Sequence, residues 1–381
     1  MYPCFTFCHI LGMFPYNINA LTFEISKPKY ILSTVVTCVC CIFDLAILYS
    51  IIISKAINYK DITSNLEAIN YFIFSGFILI MTHILTGPRM RLLQTILKIS
   101  LILSRDSFQK LSKLVHLKDI LGNIFLFVYT WIYFYKKQSI QYKSNYLNVF
   151  AIVFGTYIAL VALQMNFMYM NCVYILKACF KKINDRLSHM QRLVINDIKS
   201  SVPRSSYHIQ RNQFLLIEIK TIKKQHLMVS NAVQMLNMVF SLQLLAVVTI
   251  TFVETTFELY SYVVRWQGKV FISLDRRLLD CFLTSMSYYV IKLALLVWFC
   301  ETGKNQAQEI STIVHDVINS TSDEQIKNEL QLFCLQILHR KNIFSAKGLT
   351  IDATLLTGIV GSITIYMLIL IQFLIIMHSC E

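Results

Sequence analysis

The chain has 381 residues, is 56% hydrophobic and only 15% charged, and has a mean hydropathy of +0.56. A water-soluble protein of this length needs far more polar surface, so the composition excludes a soluble globular fold and predicts a polytopic membrane protein. The formal net charge of +14 is read as basic cytosolic loops facing anionic lipid, and not as nucleic-acid binding.

Seven apolar runs follow in order, at about 30–54, 69–86, 120–135, 146–176, 232–256, 284–300 and 351–377. A helix needs roughly 20 residues to cross a bilayer core. The third and sixth runs are short and must draw on their flanks. The fourth is too long for a perpendicular crossing and predicts a tilt, or a continuous helix projecting into Lys177 to Arg186. Glycine (10) and proline (5) are scarce, which fits long helices, and no short alternating segments suggest a barrel. The N-terminus shows no charged region ahead of a short apolar core and cleavage site, so the first run is expected to serve as its own insertion signal. No internal repeat is visible, which weighs against a transporter built from duplicated halves. The eleven cysteines are scattered without metal spacing, with Cys38, Cys40 and Cys41 inside the first run, and read as small buried hydrophobes.

Seven spans put the termini on opposite sides. Loops 87–119 and 177–231 share one side and are rich in Lys and Arg, among them Arg89, Arg91, Lys98, Lys177, Lys181, Arg186 and Arg192. The positive-inside tendency places them, and hence the N-terminus, in the cytosol and the C-terminus outside. Arg265, Lys269, Arg276 and Arg277 fall in an opposite-side loop, so the long cytosolic loops carry most of this asymmetry. Leu92, Ile96, Ile99, Ile102 and Leu103 recur at helical spacing, as do Phe214, Leu215, Glu218, Ile222 and His226. These loops are therefore predicted to be helical extensions of the spans, broken near Pro203. The sequon Asn319-Ser320-Thr321 is cytosolic in this topology and is expected to stay unglycosylated.

Asp44 lies mid-run in the first span and Lys292 in the sixth. Each could touch ligand or ion, or pair within the bundle, with each other or with a polar side chain. There is no His-Glu-x-x-His, phosphate loop or nucleophile elbow, and His9, His83, His189 and His208 have no partner at useful spacing. No catalytic residue, metal ligand or cofactor is expected, and the protein is not read as an enzyme. In the last run Tyr366, Ile369, Gln372 and Phe373 step by three or four and share one helical face. That spacing fits plain helix packing. It also fits a pore, because a ring of apolar side chains closes a narrow conduit by dewetting and a neighbouring amide can hydrate a passing ion.

The C-terminal third reads Leu335-Gln336-Ile337-Leu338-His339-Arg340, then Phe344-Ser345-Ala346-Lys347-Gly348-Leu349, then Asp352, and the last run ends Thr364-Ile365-Tyr366, five apolar residues, Gln372-Phe373. This resembles the insect gustatory receptor signature of Thr-Tyr, five hydrophobic residues and Gln-Phe, preceded by a Phe-x-Ala-x-Gly…Asp block. His226-Leu227 with Asn237 and Phe240 looks similar too. One departure is that Ile365 stands where the family usually has Thr, with Thr364 one position early.

The resemblance implies an all-α membrane fold like that of insect odorant receptors: seven transmembrane helices, a cytosolic N-terminus, and long helices extending into a cytosolic anchor domain. It implies a ligand-gated, non-selective cation channel in the plasma membrane, a homo- or heterotetramer with other gustatory receptors around one pore. Ile369, Gln372 and Phe373 would form the gate, supported by Tyr366. A small-molecule tastant would bind in the outer half of the bundle. Candidate wall residues in spans three to six are Tyr129, Trp131, Tyr157, Gln164, Thr251, Glu254, Tyr288 and Tyr289, since aromatic faces with a few hydrogen-bonding groups suit sugars and flat alkaloids alike. The alternatives are a seven-helix receptor coupled to G proteins, which demands an external N-terminus, and a secondary transporter.

Overall fold

The computed structural model describes residues 2–19, 22–57, 62–141, 146–199, 205–267 and 276–379. Ten helices and four short strands are seen among them: α1 (Tyr2–Ile10), β1 (Tyr16–Asn19), β2 (Thr22–Ile25), α2 (Lys27–Ile52), α3 (Ile62–Ile84), α4 (Thr86–Ser100), α5 (Arg105–Gln141), α6 (Tyr146–Lys199), α7 (Ser205–Gln267), α8 (Arg276–Ser320), α9 (Glu324–His339), β3 (Ser345–Ala346), β4 (Leu349–Thr350) and α10 (Ala353–Ser379). Helices dominate because long apolar runs free of internal Pro must satisfy their own backbone in lipid. Pro28, at the start of α2, is tolerated where its missing N–H is not needed.

Six described helices are long and apolar enough to cross a membrane, within α2, α3, α6, α7, α8 and α10. The predicted third span lies in α5, part of whose apolar stretch falls outside the fully described residues. α5 still packs lengthwise on α6 and α8, as the seventh rod of the bundle.

α6 is the central helix. Met168, Tyr169, Cys172, Val173, Leu176, Cys179, Phe180, Ile183 and Leu187 are all fully buried along it. Its 54 residues reach about 80 Å at 1.5 Å per residue, far more than the roughly 30 Å hydrocarbon core. It therefore runs unbroken past the apolar segment, as do α7 with 63 residues and α8 with 45. At that extended end Arg186 of α6 donates to Glu218 (2.7 Å) and Gln225 (2.6 Å) of α7. The break predicted near Pro203 lies outside the described residues.

The loop segment predicted to extend the second span is a separate helix, α4, following the first at Leu85. Its Arg89 is wholly enclosed, donating to the Thr82 carbonyl (3.0 Å) and lying 5.4 Å from the Phe240 ring centre. Strands were not expected. The β1–β2 hairpin packs Phe23 into an aromatic cluster with Phe5 and Phe14.

Among the described residues Asp44 and Lys292 form no ion pair. Asp44 is buried against Gly76 of α3, where any side chain would collide with its carboxylate. Lys292 instead borders a cavity.

Candidate functional site

Two arrangements stand out: a cavity between α3, α5, α6, α7 and α8, and the mounting of α10. The cavity is reached near the start of α6 (Ala159, Ala162), the end of α7 (Val247, Ile250) and the start of α8 (Ser285 to Lys292). It thus lies at the end of the bundle opposite the long extensions. Its volume is about 70 Å³, room for several waters at about 10–15 Å³ each. The walls are apolar apart from four tyrosines, a few hydroxyls and Lys292.

Tyr129 of α5 and Tyr288 of α8 stack with ring centres 5.2 Å apart and planes at 15°. The Tyr129 hydroxyl also accepts from the Tyr288 backbone N–H (3.1 Å). Tyr289 donates to Glu254 of α7 (3.1 Å), and Tyr71 of α3 donates to the Gly155 carbonyl (2.7 Å). These bonds lock the rings in place, a preformed aromatic wall.

Of the residues predicted for a pocket, the structure brings Tyr129, Tyr288 and Tyr289 together here. Glu254 stands behind Tyr289, and buried Thr251 donates back to the Val247 carbonyl one turn away (2.8 Å). Three others lie elsewhere. Trp131 is 68% exposed on the outer surface. Tyr157 donates to the Leu11 carbonyl beside α1 (2.9 Å). Gln164 hydrogen-bonds Asn123 deeper in the bundle. The residues missed are Tyr71, Ser75 and Thr130, with Lys292 noted but unplaced. Tyr71 and Ser75 belong to the second apolar run, and no periodicity reveals that this run faces the cavity.

α10 lies on the outside of the protomer, against α7 and α8. Met367 is buried, whereas Val360, Ile365, Tyr366, Leu368 and Ile369 are exposed. Gln372 is exposed as well, and the Phe373 side chain lies outside the described residues. The Tyr366 ring sits edge-on to Phe252 of α7 at 5.9 Å.

The block ahead of α10 is a tight mount. Lys347 and Gly348 both have positive φ (50° and 89°), the two-residue primed turn that joins β3 to β4. Phe344 is buried against Gly303 of α8, where an added Cβ would lie 2.8 Å from its ring, and Ala346 is fully enclosed. Asn237 of α7 clamps the hairpin, donating to the Ile343 carbonyl (2.7 Å) and accepting from the Ser345 N–H (3.2 Å). Asp352 caps α10 by accepting from the Thr354 N–H (3.1 Å), and bonds Lys304 of α8 (3.2 Å). Ahead of the span, the Thr354 hydroxyl bond and then Lys304 hold the Asp352 carboxyl below the usual carboxylate range. His226 is buried between Gln336 (3.0 Å) and Asn342 (3.3 Å) at the same base.

A bundle of apolar helices with a small aromatic cavity at one end, and an uncovered apolar helix on its flank, is the form of a multi-pass membrane receptor. The chain belongs to the 7tm chemosensory receptor family, whose model matches residues 1–377. It is similar to two Drosophila melanogaster proteins, gustatory receptor 28b (31% identical over 153 residues, 39% of this chain and 32% of that protein) and gustatory receptor 28a (28% over 200 residues, 49% and 42%). The match thus spans about a third to two fifths of the length of these relatives. In fold it is similar to the insect olfactory receptor OR5 of Machilis hrabei, with a TM-score of 0.68 at 10% identity over 98% of this chain and 97% of that one. The same receptor in complex with eugenol also gives 0.68, at 11% identity over the same shares. The family is one of chemoreceptors, not enzymes.

Proposed function

We propose that the protein is a gustatory receptor subunit that assembles as a homo- or heterotetramer and opens a non-selective cation pore when a small-molecule tastant enters the outer cavity. It would reside in the plasma membrane with its N-terminus in the cytosol. The observation that carries this reading is α10: an apolar helix of 27 residues whose outer face is left uncovered by its own bundle. Such a face needs lipid or other copies of the chain. Four copies would line a conduit with Ile369, Gln372 and Phe373, while Tyr366 leans on Phe252. The mount at Asn237, Asp352 and Lys304 would carry motion of α7 and α8, two walls of the cavity, to α10. A tastant can do this work only through higher affinity for the open arrangement.

The ligand complex of the olfactory receptor OR5 supports a small organic molecule as the ligand class. Recording unitary currents from the reconstituted protein tests the proposal. Gln372→Ala and Phe373→Ala should alter permeation or basal current, and unchanged currents would defeat the gate assignment. An N-terminal tag that stains on unpermeabilised cells would overturn the orientation.

A further inference from the structure

The cavity wall carries one charge. Its lining includes no Asp or Glu, and its cation is Lys292. Three wall hydroxyls are engaged within the protein: Tyr71 to the Gly155 carbonyl, Tyr289 to Glu254, and Ser285 to the Phe282 carbonyl (3.0 Å). Lys292 differs. Among the described residues its ammonium makes neither a hydrogen bond nor an ion pair, and its neighbour is the Tyr288 ring, 5.7 Å from Nζ to the centre. An ammonium in the membrane domain that lacks a hydrogen-bond acceptor is costly. A cation over a ring face recovers only part of that. The Glu254 carboxylate behind Tyr289 attracts Lys292 through space, but no hydrogen bond or ion pair joins the two among the described residues, so the ammonium donors stay open to the cavity.

We propose that the cavity selects small aromatic carboxylates, with the carboxylate on Lys292 and the ring among Tyr71, Tyr129, Tyr288 and Tyr289. The inference rests on the reading of this cavity as the ligand site and goes further by naming the ligand class. Lys292 lines the wall while Glu254 is screened behind Tyr289, which favours an anionic head group, and the tyrosine faces with Ile78, Val247 and Ile250 favour an apolar body. The volume of about 70 Å³ is about half that of a cavity that takes up benzene, so the body is limited to a single ring and the walls must part to admit it. A cationic ligand would meet Lys292 head-on, and a neutral amide would forgo the charge-assisted bond.

Benzoate, benzamide and benzylamine share a ring and differ in charge, and they form the test. Their affinities for the full-length receptor in nanodiscs are measured by ligand-induced thermal stabilisation. Benzoate should bind at least about tenfold more tightly than benzamide, and benzylamine should be weakest. Lys292→Gln should erase the preference, and Lys292→Arg should retain it. The wild-type series alone tests the sign if Lys292→Gln does not fold. Equal or tighter binding of benzamide or benzylamine, or no benzoate binding at millimolar concentration, would overturn the proposal, as would a preference that survives Lys292→Gln. Current recordings on the same samples separate the two readings. Benzoate binding through Lys292 without current removes the channel and leaves this site. Current from other tastants without carboxylate preference removes this site alone.

Discussion

Gly76→Ala probes the seam between α2 and α3, where the geometry gives a definite magnitude. A Cβ on Gly76 would overlap Asp44 Oδ2, well inside 3.0 Å, and lie 3.2 Å from Cγ. Asp44 is only 6% exposed, so its carboxylate has little room to swing aside and the helices must part. Overpacking of this kind costs about 1–3 kcal/mol, against a propensity gain for Ala over Gly of at most about 1 kcal/mol. The net expectation is a loss of about 1–2 kcal/mol. Among the described residues Asp44 Oδ1 has no hydrogen-bond partner, so Asp44→Ala should itself be neutral or stabilising, since it removes a carboxylate from the membrane interior. In that background Gly76→Ala should cost less than about 0.5 kcal/mol, because the colliding group is gone. The assay is a double-mutant cycle on purified receptor in detergent, with thermal or SDS-induced unfolding followed by circular dichroism. An equal cost of Gly76→Ala with and without Asp44 would refute the collision and the α2–α3 register built on it.

Asn237→Ala removes both bonds that clamp the β3–β4 hairpin. It should destabilise the receptor by about 1–3 kcal/mol and speed hydrogen exchange at 343–350, measurable by mass spectrometry; unchanged exchange there would show that the clamp is idle. Asp352, held below its ordinary range, contributes stability that is present above the unfolded value near 3.9 and lost as pH falls through the folded value. The tether to Lys304 should thus hold from pH 5 to 7 and release only in stronger acid. Asp352→Ala should flatten the acid limb of an unfolding-versus-pH profile below about pH 4, and an unaltered limb would count against the tether. Gly348→Val should disfavour the primed turn by about 1–2 kcal/mol, since a β-branched residue resists φ near 89°. A melting temperature equal to that of the parent would contradict this.

Several features were legible because their signals are local. Hydropathy over some twenty residues marks a helix that lipid can accept, and α2, α3, α6, α7, α8 and α10 follow it. The Phe344-to-Asp352 block was legible as a family signature, while the hairpin it forms was not expected and its roles come from the structure. Gly348 supplies the turn, Phe344 and Ala346 the buried face, and Asp352 the cap, each within a few residues of chain.

The amino-acid sequence by itself determined that this chain is a bundle of long membrane helices and pointed to its family through the residues around the last span. Only the tertiary structure decided which faces meet. It placed Tyr71 and Lys292 beside Tyr129, Tyr288 and Tyr289, set Trp131, Tyr157 and Gln164 apart from them, and put Asp44 against Gly76 in place of a partner cation. The physical reason is that helical period fixes which residues share a face of one helix. The rotation of that helix against its neighbours is set by packing between residues tens to more than a hundred positions apart, which no local pattern encodes.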